Sequence, residues 1–480
     1  MRTTTRPRKI SSFPTWSALA VGLALSAAGQ ARAQVAPAPP VVPVVPVPPE
    51  PAEPAPAPVP SQKLAESNPL AEQQLEQVRQ MVSSMPKLIE ANGYFRAGIG
   101  VNSKGGKQEA FQAPGAFSKY RLGNEAETYG EFGFTFNWLN PDHNDGAWFK
   151  SAMKLAFVSP RNSTFDELVS SGIIAIREAY AQAGHVLDDK PEMSFWAGQR
   201  FYRRKDVHIT DFFFQDMSGY GGGFEDLKVG EKSKLAVAYL GGSSNDGPFD
   251  LGRLTKSTID VRLYDIPAGS GNLELWLIPT FAARGDSHKN NRNGMGGGAF
   301  YFMPFMGGFN EVSAEFGIGG AANFSSGIDT GIAKNGWMAR VVERATVQLD
   351  PKLSMMWTGV VQFDNRDGNP TGTTDSSTGN LWISAGARPV YSFTKHTAIA
   401  VEGGVDVVQP QADAAEMGFV GKLTVAPMIR PGTGFWDRPE LRAFVTAAFW
   451  NEAVKGGVGG PAYATDTFGL TVGVQGEMWW

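Results

Sequence analysis

The sequence predicts an all-β chain, an antiparallel transmembrane β-barrel with a short helical segment in front of it. Apolar residues alternate at period two over segments of about ten residues, the dyad pattern of strands that face lipid on one side and a lumen on the other. The first residues have the layout of an export signal, and no later stretch offers the roughly 20 apolar residues that a spanning helix needs. Of the 480 residues 57 are Gly and 31 Phe, while only 42% are hydrophobic. That mix, with glycine well above its usual share of roughly 7%, is unusual for a soluble enzyme.

Residues 1–33 read as a secretory signal peptide. Arg2, Arg6, Arg8 and Lys9 precede the apolar run WSALAVGLALSAAG, and ARA precedes Gln34. Residues 34–60 contain 12 prolines alternating with Val and Ala. Such a segment buries nothing and favours an extended polyproline conformation, so it is expected to be a spacer, with a possible cell-wall or periplasmic contact. In residues 61–91, Leu75, Val78, Val82, Met85 and Ile89 recur by three and four. That spacing predicts a short coiled-coil-like or amphipathic helix in the periplasm.

From Gly93 the period changes to two. In GYFRAGIGV, Phe95, Ala97, Ile99 and Val101 share one face, and Tyr94, Arg96, Gly98 and Gly100 the other. TYGEFGFTFNW sets Phe132, Phe134, Phe136 and Trp138 against Tyr129, Glu131 and Asn137. NLELWLI sets three leucines against Glu274 and Trp276. In the terminal TFGLTVGVQGEMWW, Leu470, Val472, Val474, Met478 and Trp480 oppose Thr471, Gln475, Glu477 and Trp479. Trp480 is expected to face lipid. Lipid supplies no hydrogen-bond partners, so the sheet must close and the first strand must meet the last. That closure places Tyr94 near Trp479. Residues from 93 to 480 have room for roughly 16 to 18 strands of about 9 to 11 residues, joined by tight turns such as DIPAGSGN and long loops such as RGDSHKNNRNGMGGG. The glycine clusters GYGGGF and GMGGGAF are read as loops.

The stretch RFYRRKDVHITDFFFQDMSGYGGGFED, residues 200–226, sets cations, acids and a histidine among aromatic rings. A dry core rejects unpaired charge, and a solvated loop gains nothing from rings. His208 lies two residues from Asp206 and three from Asp211, but no activated Ser, second His or Cys completes a nucleophilic or zinc site. The chain has no cysteine at all and a formal net charge of −4. It therefore lacks disulfides, thiolate sites and the basic footprint of a nucleic-acid binder. No cofactor, metal or enzymatic activity is expected.

GYFRAGIG, GAFSKYRLGNEAETYGE, IREAY, WAGQRFYRRKDVHITDFFFQDMSGYGGG, ARPVYSFT and EMWW together resemble the maltoporin family of sugar-specific outer-membrane porins, in one order from residue 92 to residue 480. The segment before the barrel looks like that of the sucrose porin branch. The resemblance implies an eighteen-stranded barrel, a homotrimer in the outer membrane, and a third extracellular loop folded into the channel. It implies passive diffusion of saccharides along an aromatic slide beside a polar track. Matched motif to motif, the slide falls on Tyr94, Tyr129, Trp382 and Trp479, with Phe165 aligned to a tryptophan that a neighbouring subunit supplies. The track falls on Arg96, Arg121, Glu131 and Arg177 in the wall and on Arg204, Asp206, His208 and Asp211 in the constricting loop. Pyranose rings present apolar CH faces and a rim of hydroxyls, so a path for them needs both chemistries together.

The chain departs from that pattern in places. Phe213 stands where maltoporins have a constriction tyrosine, as in the sucrose branch, while Asp216 keeps the maltoporin acid. Ala110 and Ala126 replace the cysteine pair that staples the first loop, which must then be held by other means. Arg121 and Glu131 can also serve as wall ion pairs, and the two roles coexist. The competing readings are a general porin for small polar solutes and a structural barrel attached to the cell wall by residues 35–90.

Overall fold

The computed structural model describes residues 88–125, 127–140, 146–159, 173–243, 255–283, 293–328, 332, 335–365, 379–410 and 415–480. The segments expected to be a signal peptide, a spacer and a helix, through residue 87, and Phe165, lie outside the described residues.

The first five strands are β1 (Ile89–Asn102), β2 (Thr128–Leu139), β3 (Trp148–Ser159), β4 (Ile173–Gly184) and β5 (Ser194–Arg200). Two short strands follow, β6 (Lys205–Val207) and β7 (Phe212–Gln215), which pair only with each other. Next come β8 (Gly219–Lys228), β9 (Lys234–Ser243), β10 (Thr255–Ala268), β11 (Gly271–Ala283), β12 (Gly294–Phe305) and β13 (Gly308–Ile318). The chain finishes with β14 (Trp337–Asp350), β15 (Leu353–Asn365), β16 (Asn380–Ser392), β17 (Thr397–Pro410), β18 (Gly418–Ile429), β19 (Glu440–Trp450) and β20 (Phe468–Trp479).

All except β6 and β7 form one 18-stranded sheet, each strand antiparallel to the next. β1 pairs with β20 and closes it. The closing register sets Tyr94 opposite Trp479 and Arg96 opposite Glu477, and Gly93 and Trp480 exchange backbone hydrogen bonds of 3.1 and 3.2 Å. β1 begins at Ile89, paired with Phe136. Ile89, Glu90 and Ala91, placed in the helical segment by their spacing, are therefore strand residues. A heptad position and a strand position both accept an Ile, and pairing with β2 decides between them.

The two ends of the barrel differ. Gly269–Ser270 and Met306–Gly307 each close a hairpin with two residues, whereas residues 103–127, 201–218 and 451–467 join strands at the opposite end. Met306 and Gly307 both have positive φ, 46° and 75°, as the tight primed hairpin turns require. Both chain ends of the barrel lie at the short-turn mouth, the periplasmic side of barrels of this kind.

The alternation holds on the outside: Ile99, Phe132, Leu277, Val474 and Trp480 are exposed, while Arg96, Thr471, Gln475 and Glu477 are buried inward. Inside, polarity is not uniform. Trp196, Leu240, Trp276, Phe300, Val342, Met356 and Trp382 point inward and are buried: Tyr202 meets Trp196, Phe117 and Phe212 meet Trp382, and Phe324, in the segment after β13, meets Trp276. The glycine clusters are strand, not loop. Gly221 and Gly223 lie in β8 and Gly297 in β12. A Cβ at these positions would sit 1.9 Å from the Tyr239 oxygen, 2.2 Å from that of Val237 and 2.3 Å from that of Trp276. Close backbone approach demands glycine there, and a residue without a side chain leaves no alternation to read.

Candidate functional site

The first long loop is held without a disulfide. Tyr120 enters a slot made by Gly386 in β16 and Gly404 in β17, where any Cβ would meet its ring at 2.3 or 2.1 Å. Its hydroxyl shares a 3.1 Å hydrogen bond with Ser384. Asn124 accepts from the Phe111 amide and donates to the Phe111 and Tyr120 carbonyls. Glu402, paired with Arg388 and Lys422, accepts the Leu122 amide at 2.9 Å.

The loop at 201–218 docks by its apolar half. Tyr202, Val207, Ile209, Phe212, Phe214 and Met217 are buried against the inner wall. Its charged half is tied down by wall residues. Lys205 lies 3.4 Å from Glu274 and Glu311, Arg344 donates to the Asp206 carbonyl, and Arg340 to the Phe214 carbonyl. The Arg121 amide donates to the Ile209 carbonyl at 3.0 Å, so the two loops brace each other. The mixture of rings and charges in 200–226 thus has two faces: rings wedge the loop onto the wall, and most of the charges are held in ion pairs or face the passage.

The lining falls into two groups joined by a charged step. At the closing seam Tyr94 donates to Glu477 at 2.9 Å and stands 6.0 Å from Tyr129, ring centre to ring centre. Arg121 donates to the Tyr94 hydroxyl at 2.7 Å and pairs with Glu477 at 2.9 Å and Glu125 at 3.1 Å. Arg96 pairs with Glu125 at 2.9 Å and with Glu127. Glu477 also takes Arg442 at 3.0 Å and Arg438 at 3.4 Å. Buried carboxylates are tolerated here because each faces two or more guanidinium groups.

His208 sits where the connections of the two mouths meet. Its Nδ1 lies 3.5 Å from Arg121 and its Nε2 3.4 Å from Arg438, and its ring packs against Phe435, Trp436 and Trp479. Burial, reinforced by the Arg121 and Arg438 charges and opposed by Glu477, holds the imidazole well below the ordinary histidine range. Burial likewise pushes the Asp206 carboxyl up, against the pull of Arg344.

Beyond Tyr129, whose hydroxyl donates to Glu131, Lys154 lies 3.8 Å from Glu131 and 3.4 Å from Glu178. Lys154 and Arg177 each stack on Phe201 at 5.2 Å. Arg204 stands 4.1 Å from the Phe201 ring centre and 3.9 Å from that of Phe213, and 3.4 Å from Asp216. Phe213 and Asp211 are exposed, Asp211 with φ 52° at the tip of a 3-10 turn.

The structure therefore gathers Tyr94, Arg96, Arg121, His208 and Trp479 in one group and Arg177, Arg204, Phe213 and Asp216 in the other, with Tyr129 and Glu131 between. Trp382 is elsewhere. It is fully buried, donates to Asp406 at 2.9 Å, and is covered by Phe117 of the first loop and Phe212 of the third. It anchors both loops and offers no free face. Trp436 takes the open position instead: 41% exposed, 6.3 Å from Trp479, in the connection between β18 and β19. Alternation cannot see it, because it is not in a strand. Its only sequence signal is the pair of rings in GTGFWDRP. Phe201 and Lys154 were missed for a related reason, since nothing local marks which inward residue a loop will meet.

Among the described residues no group of three or more metal-ligating side chains converges. A family model described as LamB porin matches residues 89–480. Among solved structures the chain is similar to OccD3 (OpdP) of Pseudomonas aeruginosa, with 8% identity over 82% of this chain and 91% of that one and a TM-score of 0.42. It is similar to OccAB1 of Acinetobacter baumannii, with 9% identity over 82% and 96% and a TM-score of 0.44. For Salmonella typhi OmpF in complex with daunomycin the figures are 10% identity, 81% and 97%, and 0.42.

Proposed function

The chain belongs to the LamB porin family, and from that premise we propose that this outer-membrane porin carries saccharides down their gradient, as a homotrimer, along the lining just described. One observation carries the reading: aromatic rings with exposed area, Tyr94, Tyr129, Trp436 and Trp479, run beside a network of paired Arg and Glu groups, Arg96, Arg121, Glu125 and Glu477. A sugar stacks its CH face on the rings and exchanges hydroxyl bonds with the charges as it advances. Weak contacts repeated along a path let a solute enter and leave, as conduction requires. Phe213 in place of a constriction tyrosine removes one hydroxyl from the exposed side of the loop, a change shared with the sucrose branch, so sucrose stands beside maltose as a candidate substrate.

Single-channel conductance of the purified protein in a planar bilayer, titrated with sucrose, maltose and maltotriose, tests this. Saturable block with three-step closures is expected. Large currents unaffected by any sugar would leave the porin and remove the saccharide path, in favour of broad passage of small polar solutes.

A further inference from the structure

Arg204 has both faces of its guanidinium occupied, by Phe201 at 4.1 Å and Phe213 at 3.9 Å. Phe201 is itself fixed twice. Its amide donates to Glu178 of β4 at 2.9 Å, and Lys154 of β3 and Arg177 of β4 stack on its ring. The two phenylalanines differ in support: Phe213 is exposed on the loop, whereas Phe201, the loop's first residue, is half-buried and held by groups of β3 and β4. A guanidinium stacked on both faces keeps only its in-plane N–H edge for a ligand. The Asp216 carboxylate lies 3.4 Å from Nε, an ion pair that draws the charge to one side without a hydrogen bond to that nitrogen.

We propose that Phe201 is a positioning residue for the passage of solute: it holds Arg204 edge-on across the constriction, so that the outer N–H groups meet sugar hydroxyls at a set height. The sugar part of this inference rests on the saccharide reading above, while the placement of the charge does not. A flexible arginine spends much of its binding energy on ordering its own side chain, and one clamped between rings has that cost removed.

The test is a cycle of Phe201→Leu, Arg204→Gln and the double variant in planar bilayers, read by sugar block and by reversal potential in a salt gradient. Phe201→Leu is expected to weaken block by about two- to thirtyfold, the range of a cation–π contact, through faster sugar release. It should also shift the reversal potential with the same sign as Arg204→Gln, and add nothing to Arg204→Gln in the double variant. Phe201→Tyr should restore both readouts. Should the leucine variant fail to assemble, Phe201→Met keeps the volume and removes the ring. A purely structural role would lower thermal stability with equal, additive effects in the cycle, and that result overturns the proposal, as does wild-type behaviour of Phe201→Leu. If no sugar blocks the wild-type channel, the saccharide reading falls and the reversal-potential cycle alone decides whether Phe201 places the charge.

Discussion

Trp382 and Trp436 show how far a single residue's environment outweighs its identity. Both are tryptophans near the lumen, yet one is packed by two loops and the other is open. Trp436→Ala and Trp479→Ala are expected to weaken sugar block with little change in stability, as a titration of current against sugar will report. Trp382→Ala should cost about 3–5 kcal/mol of packing, seen as a lower unfolding temperature of the barrel, with block altered only through loop disorder. His208 carries a pH prediction. Its proton is disfavoured in the docked loop, so an undocked loop binds protons more readily once the pH falls below about 6.5. Docking is unaffected above that value and weakens below it, by at most about 1.4 kcal/mol per pH unit. Open-channel current should become noisier at pH 5 than at pH 7.5. His208→Gln should abolish that difference, separating it from the loop's own carboxylates, Asp206, Asp211 and Asp216.

Elements here are chosen by what they must accommodate. β16 and β17 each carry a glycine because a tyrosine from the first loop lies against them. Gly404→Ala is therefore expected to expel Tyr120 and free that loop, increasing its cleavage by added protease while the barrel itself stays folded. Gly359→Ala in β15, where a Cβ would meet nothing within 4 Å, is the matched control and should behave as wild type. The same logic explains why GYGGGF and GMGGGAF read as loops in the sequence. Glycine is frequent in turns, and the carbonyls that make it necessary in β8 and β12 belong to the adjacent strands β9 and β11, which no local pattern within the clusters reveals.

For the whole molecule, closure is the controlling event. β1 must present Ile89 to Asn102 intact, because its first half pairs with β2 and its second half with β20. Removal of residues 34–87 is expected to leave a conducting channel, whereas removal of residues 34–93 should prevent assembly by deleting the Gly93 bonds to Trp480. Bilayer currents and the unfolding temperature of the two truncations check this.

Period-two alternation from Gly93 to Trp480 was enough to sort outward from inward residues, to require closure, and to bring Tyr94 to Trp479, since each follows from the pleat and from a solvent without hydrogen bonds. The resemblance of local motifs supplied the residues of the proposed track, and the lumen holds most of those described. What alternation could not decide is which inward residues stay open. Trp382, Trp436, Phe201 and the glycine-rich strands were settled by loops and neighbouring strands that meet them from distant positions, and a contact of that kind leaves no periodic trace in the chain.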